Sequence, residues 1–134
     1  MPQMADVTVK LADGVSNFLL NALQPAGPDG TAAVWRREDA TRTAEQRVTA
    51  QVSARWNDKR NARVVQCYVR SPVLEDTSVS TVKKIIGYAE CRDGRFVVPS
   101  GMTQTAIDDF AAIATNFMAS ALVRSSIASG FAPS

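Results

Sequence analysis

Thr49, Gln51, Ser53 and Arg55 fall at every second position of RVTAQVSARW, residues 47–56. A period of two places them on one side of a β-strand, because successive side chains point to opposite faces. Hydroxyls and amides donate and accept hydrogen bonds, and a guanidinium donates five from a planar fork. Such a set is equipped to hold a planar polar group or an anion. It is poorly equipped to break bonds. The chain has no histidine, which removes the commonest general base and the commonest metal ligand. There is no phosphate loop, no nucleophile elbow and no carboxylate cluster at ligand spacing. We therefore expect a protein that is not an enzyme and needs no cofactor or metal. Cys67 and Cys91 are the two cysteines. They lie in apolar strand surroundings and not in a CxxC pair, which predicts buried, reduced thiols, with a disulfide as the alternative.

Net charge is only +2 over 134 residues, but it is unevenly placed. Residues 36–70 hold nine basic and four acidic residues, a net of +5. Residues 102–134 net −1, with Asp108 and Asp109 against Arg124. A basic middle predicts a surface that faces a polyanion. Its alternative is an ordinary solvated face. The length predicts a single domain, 1–134, with strands mainly over 1–99 and helix mainly over 100–134. No apolar run approaches the ~18–20 residues that span a bilayer. The stretch MPQMADVTVK lacks the pattern of a secretory signal, so no membrane partner is expected.

The strand of residues 47–56 has neighbours. Val7, Val9 and Leu11 alternate with polar residues up to the turn pair Asp13-Gly14, a hairpin start. Residues 15–23 read equally as strand or helical turn, and QPAGPDG, 24–30, reads as a loop. Thr31–Arg37 is a third strand, built around Trp35. The polar turn NDKRN, 57–61, leads into Arg63–Arg70, which alternates Val65, Cys67, Val69 with Val64, Gln66, Tyr68, Arg70 and should pair antiparallel with 47–56. Pro72 is expected to end that strand, and 71–82 to form an extended loop. Lys83–Arg92 separates into Ile86, Tyr88, Glu90, Arg92 and Ile85, Gly87, Ala89, Cys91. Asp93-Gly94 is a turn or bulge, and 95–99 the last strand segment. The period then changes. Ile107, Phe110, Ala111, Ala114, Phe117, Met118, Ala121 and Leu122 recur at helical steps. Thr105 and Asp108 have the spacing of a capping box, and Ser125-Ser126 and Gly130 mark where the helix breaks and ends.

Strands followed by helix is an α+β order. One sheet face, with Val48, Val52, Val65, Cys67, Val69, Ala89 and Cys91, should lie under the helical segment. The other, with Thr49, Gln51, Ser53, Arg55, Gln66, Tyr68, Arg70 and Tyr88, should stay wet. Hydroxyls, amides, arginine and two tyrosines suit single-stranded RNA, which is read by base stacking and edge hydrogen bonds. One helical segment is thin cover for so wide a sheet, so a homodimer is expected.

RVTAQVS, the basic turn NDKRNAR, the valine-alternating return strand ending in SP, the later GYAEC and the ending FMASALVRSSIASGFAPS together resemble the coat proteins of single-stranded RNA bacteriophages. Trp35 after a glycine-containing loop matches as well, and the resemblance covers nearly the whole chain. It implies an N-terminal β-hairpin, a five-stranded antiparallel sheet, two C-terminal helices and an interlocked homodimer. Dimers of that family build an icosahedral shell, so the resemblance implies location in the virion. It also implies binding of genomic RNA on the inner sheet face, with repression of replicase translation through an operator hairpin. The loop 71–82 would make contacts around the symmetry axes. Carried over by position, the RNA-facing residues are Thr49, Gln51, Ser53, Arg55, Gln66, Tyr68, Tyr88 and Glu90, with Tyr88 at the family's stacking tyrosine. Gln51 stands where relatives often carry Ser, and Glu90 is acidic, so the family's operator preference does not transfer. The alternative from the same sheet chemistry is a cellular dimeric module that binds single-stranded nucleic acid.

Overall fold

A computed structural model describes residues 2–28, 30–74 and 84–134. Seven strands run in sequence order as one antiparallel meander: β1 Val7–Lys10, β2 Asn17–Gln24, β3 Ala33–Arg36, β4 Thr49–Trp56, β5 Arg63–Leu74, β6 Ile85–Arg92 and β7 Arg95–Val97. Two helices follow, α1 Gln104–Met118 and α2 Ala121–Ser129. The α+β order and the two C-terminal helices agree with the sequence reading. The sheet count does not. The expected hairpin is present as β1–β2, but β2 also pairs with β3 through Asn21↔Arg36 and Ala22↔Trp35. Hairpin and five-stranded sheet are therefore one seven-stranded sheet. The ambiguous segment 15–23 resolves as strand because Leu20 lies opposite Val7 and is completely buried.

One face of the sheet and the inner side of the helices form a single core. Val48, Ala50, Val52 and Ala54, the apolar half of RVTAQVSARW, are all buried, as are Val69, Ala89 and Cys91. Trp35 is fully buried beneath Phe117 of α1. The two rings meet edge to face at 5.4 Å, and the indole N–H donates to the Ala5 carbonyl at 2.8 Å. On α1 and α2 the buried side is Phe110, Ile113, Ala114, Phe117, Val123 and Ser126. Ala111 and Ala121, expected on that stripe, are exposed. Ala121 lies past the 44° bend between the helices, where the stripe of α1 no longer continues; Ala111 lies within α1, beside the buried side formed by Phe110, Ala114 and Phe117. No single helix among the described residues is long and apolar enough to cross a membrane.

Three local expectations are corrected. β5 does not stop at Pro72 but continues to Leu74, with Pro72 opposite Tyr88 of β6. β4 begins at Thr49, opposite Arg70. Beyond Arg70 that flank of β5 has no β4 ladder, so a missing N–H costs nothing there. Residues 71–74 are thus strand and not loop, and the rest of the predicted loop lies outside the described residues. Next, the N-cap of α1 is Thr103, whose side chain accepts from the Ala106 N–H at 3.3 Å. Thr105 is already inside the helix. Asp108 accepts instead from the Gln104 amide at 2.8 Å, one turn earlier. Finally, the break between helices falls at Ala119-Ser120, with Ser120 capping α2. Ser126 stays helical because its hydroxyl bonds back to the Leu122 carbonyl at 3.0 Å. Gly130 does end the helix, in the left-handed region at φ 76°.

The chain ends are fastened to the sheet. Met4 donates to the Ser134 carbonyl, Ser134 to that of Pro2 and Ala26 to that of Pro133. Arg63, the first residue of β5, donates to the Gly130 carbonyl at 2.7 Å. Its guanidinium lies 4.5 Å from the Phe131 ring centroid and 5.1 Å from that of Trp56. A Cβ at position 130 would come within 2.9 Å of the Arg63 side chain, so glycine is required there both for φ and for space.

Truncating the helix side of the core tests this packing. Phe117→Ala should lower unfolding free energy by ~3–5 kcal/mol in urea titration. Ile127→Ala, at a site 62% exposed, should change it by less than ~0.5 kcal/mol.

Candidate nucleic-acid interface

β4 and β5 pair as Thr49↔Arg70, Gln51↔Tyr68, Ser53↔Gln66 and Arg55↔Val64, and β5 and β6 as Tyr68↔Arg92, Arg70↔Glu90 and Pro72↔Tyr88. Residues directly opposite in an antiparallel pair share a face. All eight sequence-predicted site residues, Thr49, Gln51, Ser53, Arg55, Gln66, Tyr68, Tyr88 and Glu90, therefore stand on one face of three adjacent strands. It is the face turned away from the helices, since the alternate residues Ala50, Val52, Val69, Ala89 and Cys91 make the core. Across the turn after Trp56 the pairing opens at Trp56↔Arg63.

Polar side chains on this face are largely unspent. Among the described residues, those of Thr49, Gln51, Ser53 and Arg55 have no hydrogen-bond partner within the chain. Gln66 reaches the Asp93 carboxylate at 3.4 Å. Gln51, Ser53, Gln66, Tyr68, Arg92 and Asp93 border a shallow depression of about 220 Å³. The turn at its rim is Asp93-Gly94, with φ of 54° and 78°, the two left-handed residues of a type I′ hairpin.

The tyrosines are not bare. The Arg92 guanidinium lies 4.4 Å from the Tyr68 ring centroid, and that of Arg70 4.9 Å from Tyr88. Such contacts contribute ~0.5–1 kcal/mol at exposed sites. Arg70 faces Glu90 across the strands, yet it stacks on Tyr88 and makes no ion pair among the described residues. Its Nε is buried without an acceptor, an arrangement that costs ~1–3 kcal/mol. Arg70 and Arg92 are absent from the predicted site residues although the alternation placed both on this face. The signal was their spacing, two residues from Tyr68 and from Glu90.

The basic middle is less free than its count implies. Arg36 and Arg47 both bind Glu38, at 3.0 and 2.7 Å. Arg42 lies 3.8 Å from Asp39. Arg37 sits over Phe18 and donates to the Leu19 carbonyl, and Arg63 holds the tail. Among the described residues the Arg55, Lys59 and Arg60 side chains have no such partner, and all three are exposed. Only part of the +5 is available to a polyanion.

The architecture has known counterparts. It is similar to the virus-like particle of Beihai levi-like virus 21, with a TM-score of 0.52, 16% identity and 94% of each chain covered. It is also similar to the Bacteriophage EMS014 coat protein, with a TM-score of 0.54, 18% identity, 90% of this chain and 74% of that chain covered. The chain thus has the levivirus-type coat-protein fold. No family model and no curated protein matches its sequence. Among the described residues no group of three His, Cys, Asp or Glu side chains is placed to hold a metal.

Beneath the polar face the two cysteines are free thiols. Burial pushes Cys67 up to about 12, with a smaller contribution from Cys91. Cys91 is also raised, by burial and then by Asp93. A thiol whose pKa is raised by folding stabilises the fold below its ordinary value of 9.0, and that stability is lost as pH rises toward the folded value. Denaturant midpoints should therefore fall as pH rises from 9.0 toward about 12, and Cys67→Ala should flatten the fall. A thiol reagent at pH 8 should label the native protein far more slowly than the urea-unfolded chain.

Proposed function

We propose that this chain is a viral coat protein that assembles as homodimers into an icosahedral shell and holds single-stranded genomic RNA against its polar sheet face. The observation that carries the reading is the coat-protein fold combined with an unspent polar face of hydroxyls, amides, arginines and tyrosines on β4, β5 and β6. The residues assigned to RNA are Thr49, Gln51, Ser53, Arg55, Gln66, Tyr68, Tyr88 and Glu90. Arg55 meets phosphate, the amides and hydroxyls meet base edges, and the tyrosines supply aromatic surface. Glu90 repels phosphate unless it accepts from an amino group such as that of cytosine. Repression of replicase translation through an operator hairpin belongs to the same reading.

Dimerisation is supported by an asymmetry of the two sheet edges. At β1 the Asn116 amide of α1 binds the Lys10 carbonyl at 2.8 Å. At β7 no described strand pairs with the outer edge, and Phe96, Val97 and the following Val98 are 45%, 41% and 44% exposed. An apolar edge strand pairs readily with another strand. A second copy of β7, antiparallel across a two-fold axis, covers it and joins the sheets.

Expression of the chain alone should give uniform, nuclease-protected particles in negative-stain electron microscopy. Soluble dimers that bind nucleic acid but form no particles under any condition would favour the cellular single-stranded nucleic-acid module instead. Light scattering at micromolar concentration should show no monomer. Tyr88→Ala should weaken RNA binding by ~1–3 kcal/mol. Arg55→Ala should weaken it more uniformly across sequences and reduce the slope of log K against log salt by ~1.

A further inference from the structure

We infer that the two arginine–tyrosine stacks are the base platforms of this face, with the guanidinium plane and not the tyrosine ring as the surface on which a nucleobase lies. The inference rests on the RNA-binding reading above and assigns Arg92 and Arg70 to that site. In each stack one ring face is taken: Arg92 lies over Tyr68 at 4.4 Å and Arg70 over Tyr88 at 4.9 Å. A base approaching either tyrosine from that side meets a guanidinium first. A guanidinium is planar, weakly hydrated and able to stack through both faces. The outer face of Arg92 is the more open, since that residue is exposed. Neither arginine is drawn away by a carboxylate, because no ion pair among the described residues includes Arg92 or Arg70. The tyrosine rings are thus the groups against which both guanidinium groups are held.

The spacing of the platforms says what kind of strand they accept. Tyr68 lies opposite Arg92, and Tyr88 lies opposite Pro72, four residues further along β5. At strand rise that separation is roughly 13 Å. Stacked neighbours in a helix are about 3.4 Å apart. Two bases that use the two platforms are therefore splayed nucleotides of a single strand or loop. The Arg92 platform borders the depression lined by Gln51, Ser53, Gln66 and Asp93, so a base there also has donors and acceptors at its edge. The Arg70 platform lies outside that lining and has Thr49 and Glu90 as its cross-strand neighbours. Sequence preference should concentrate at the first site, and a base at the second meets only one hydroxyl and one carboxylate.

Lysine substitution separates stacking from charge. Binding of a labelled short single-stranded RNA, carrying 2-aminopurine at one position, would be followed by anisotropy and by emission. Arg92→Lys and Arg70→Lys each keep the positive charge and remove the plane. Each should weaken binding by roughly 5- to 100-fold, leave the salt slope unchanged, and relieve the 2-aminopurine quenching seen with the wild-type protein. Arg124→Lys, at an exposed site on α2 on the other side of the sheet, should change affinity by less than about 3-fold. Wild-type affinity and quenching in both stack variants would overturn the inference while leaving RNA binding by the face intact. Failure of the wild-type protein to bind any single-stranded RNA would overturn the reading beneath it, and this inference with it.

Discussion

The burial of Trp35 is the contact on which the rest of the molecule depends. Its ring is edge-on to Phe117 and its N–H is satisfied by the Ala5 carbonyl. A buried indole without an acceptor is costly, so the residue needs the N-terminal segment as much as it needs the helix. β3 carries it between the hairpin and the long strands. One side chain therefore ties the start of the chain, the middle of the sheet and α1 into a single cluster. The two-residue period does the rest. Once Ala50 and Val52 on β4 are inside with Trp35, Gln51 and Ser53 have no choice but to be outside.

That division is also what partitions the arginines. Those in the stretch from Arg36 to Arg47 close the connection between β3 and β4 by binding Glu38, Asp39 and nearby carbonyls. Arg63 anchors the tail around Gly130. Arg55, Arg70 and Arg92 stand on the long strands at outward positions and have no carboxylate partner among the described residues. Connection arginines stabilise the scaffold, and strand arginines are left without a carboxylate. A charge count along the sequence merges the two groups, because it is blind to whether an acidic residue two positions away can be reached.

The strands and their faces were legible because each is governed by a local period and by short turns. The pairings from Thr49↔Arg70 to Trp56↔Arg63 follow from alternation and one polar turn. What was not legible depended on neighbours distant in sequence. Pro72 continues β5 only because β4 begins opposite Arg70 and does not reach Pro72. Ser120, and not Ser125-Ser126, breaks the helix because a serine hydroxyl can either cap a turn or bond back within one, and packing decides which. Thr103 and Thr105 are equally good caps on paper, and helix length selects the first. The stacks were half legible. Alternation put Arg70 and Arg92 on the correct face, but nothing in the sequence says that Arg70 turns to Tyr88 when Glu90 stands directly opposite.

Arg70 choosing a ring over a carboxylate has a consequence for what the face can discriminate. A surface whose cations are paired off in salt bridges offers a ligand little. One whose cations are bare attracts every polyanion alike, through a term that carries no sequence information. Here the cations are few, two of them lie over tyrosine rings, and near them stand hydroxyls and amides that, Gln66 apart, are left to water. A ligand that displaces that water must replace its hydrogen bonds or lose more than it gains. On the proposed RNA-binding reading, discrimination on such a face comes chiefly from groups that a wrong base would leave unpaired, with Coulomb attraction setting the approach and planar stacking holding the bases in place.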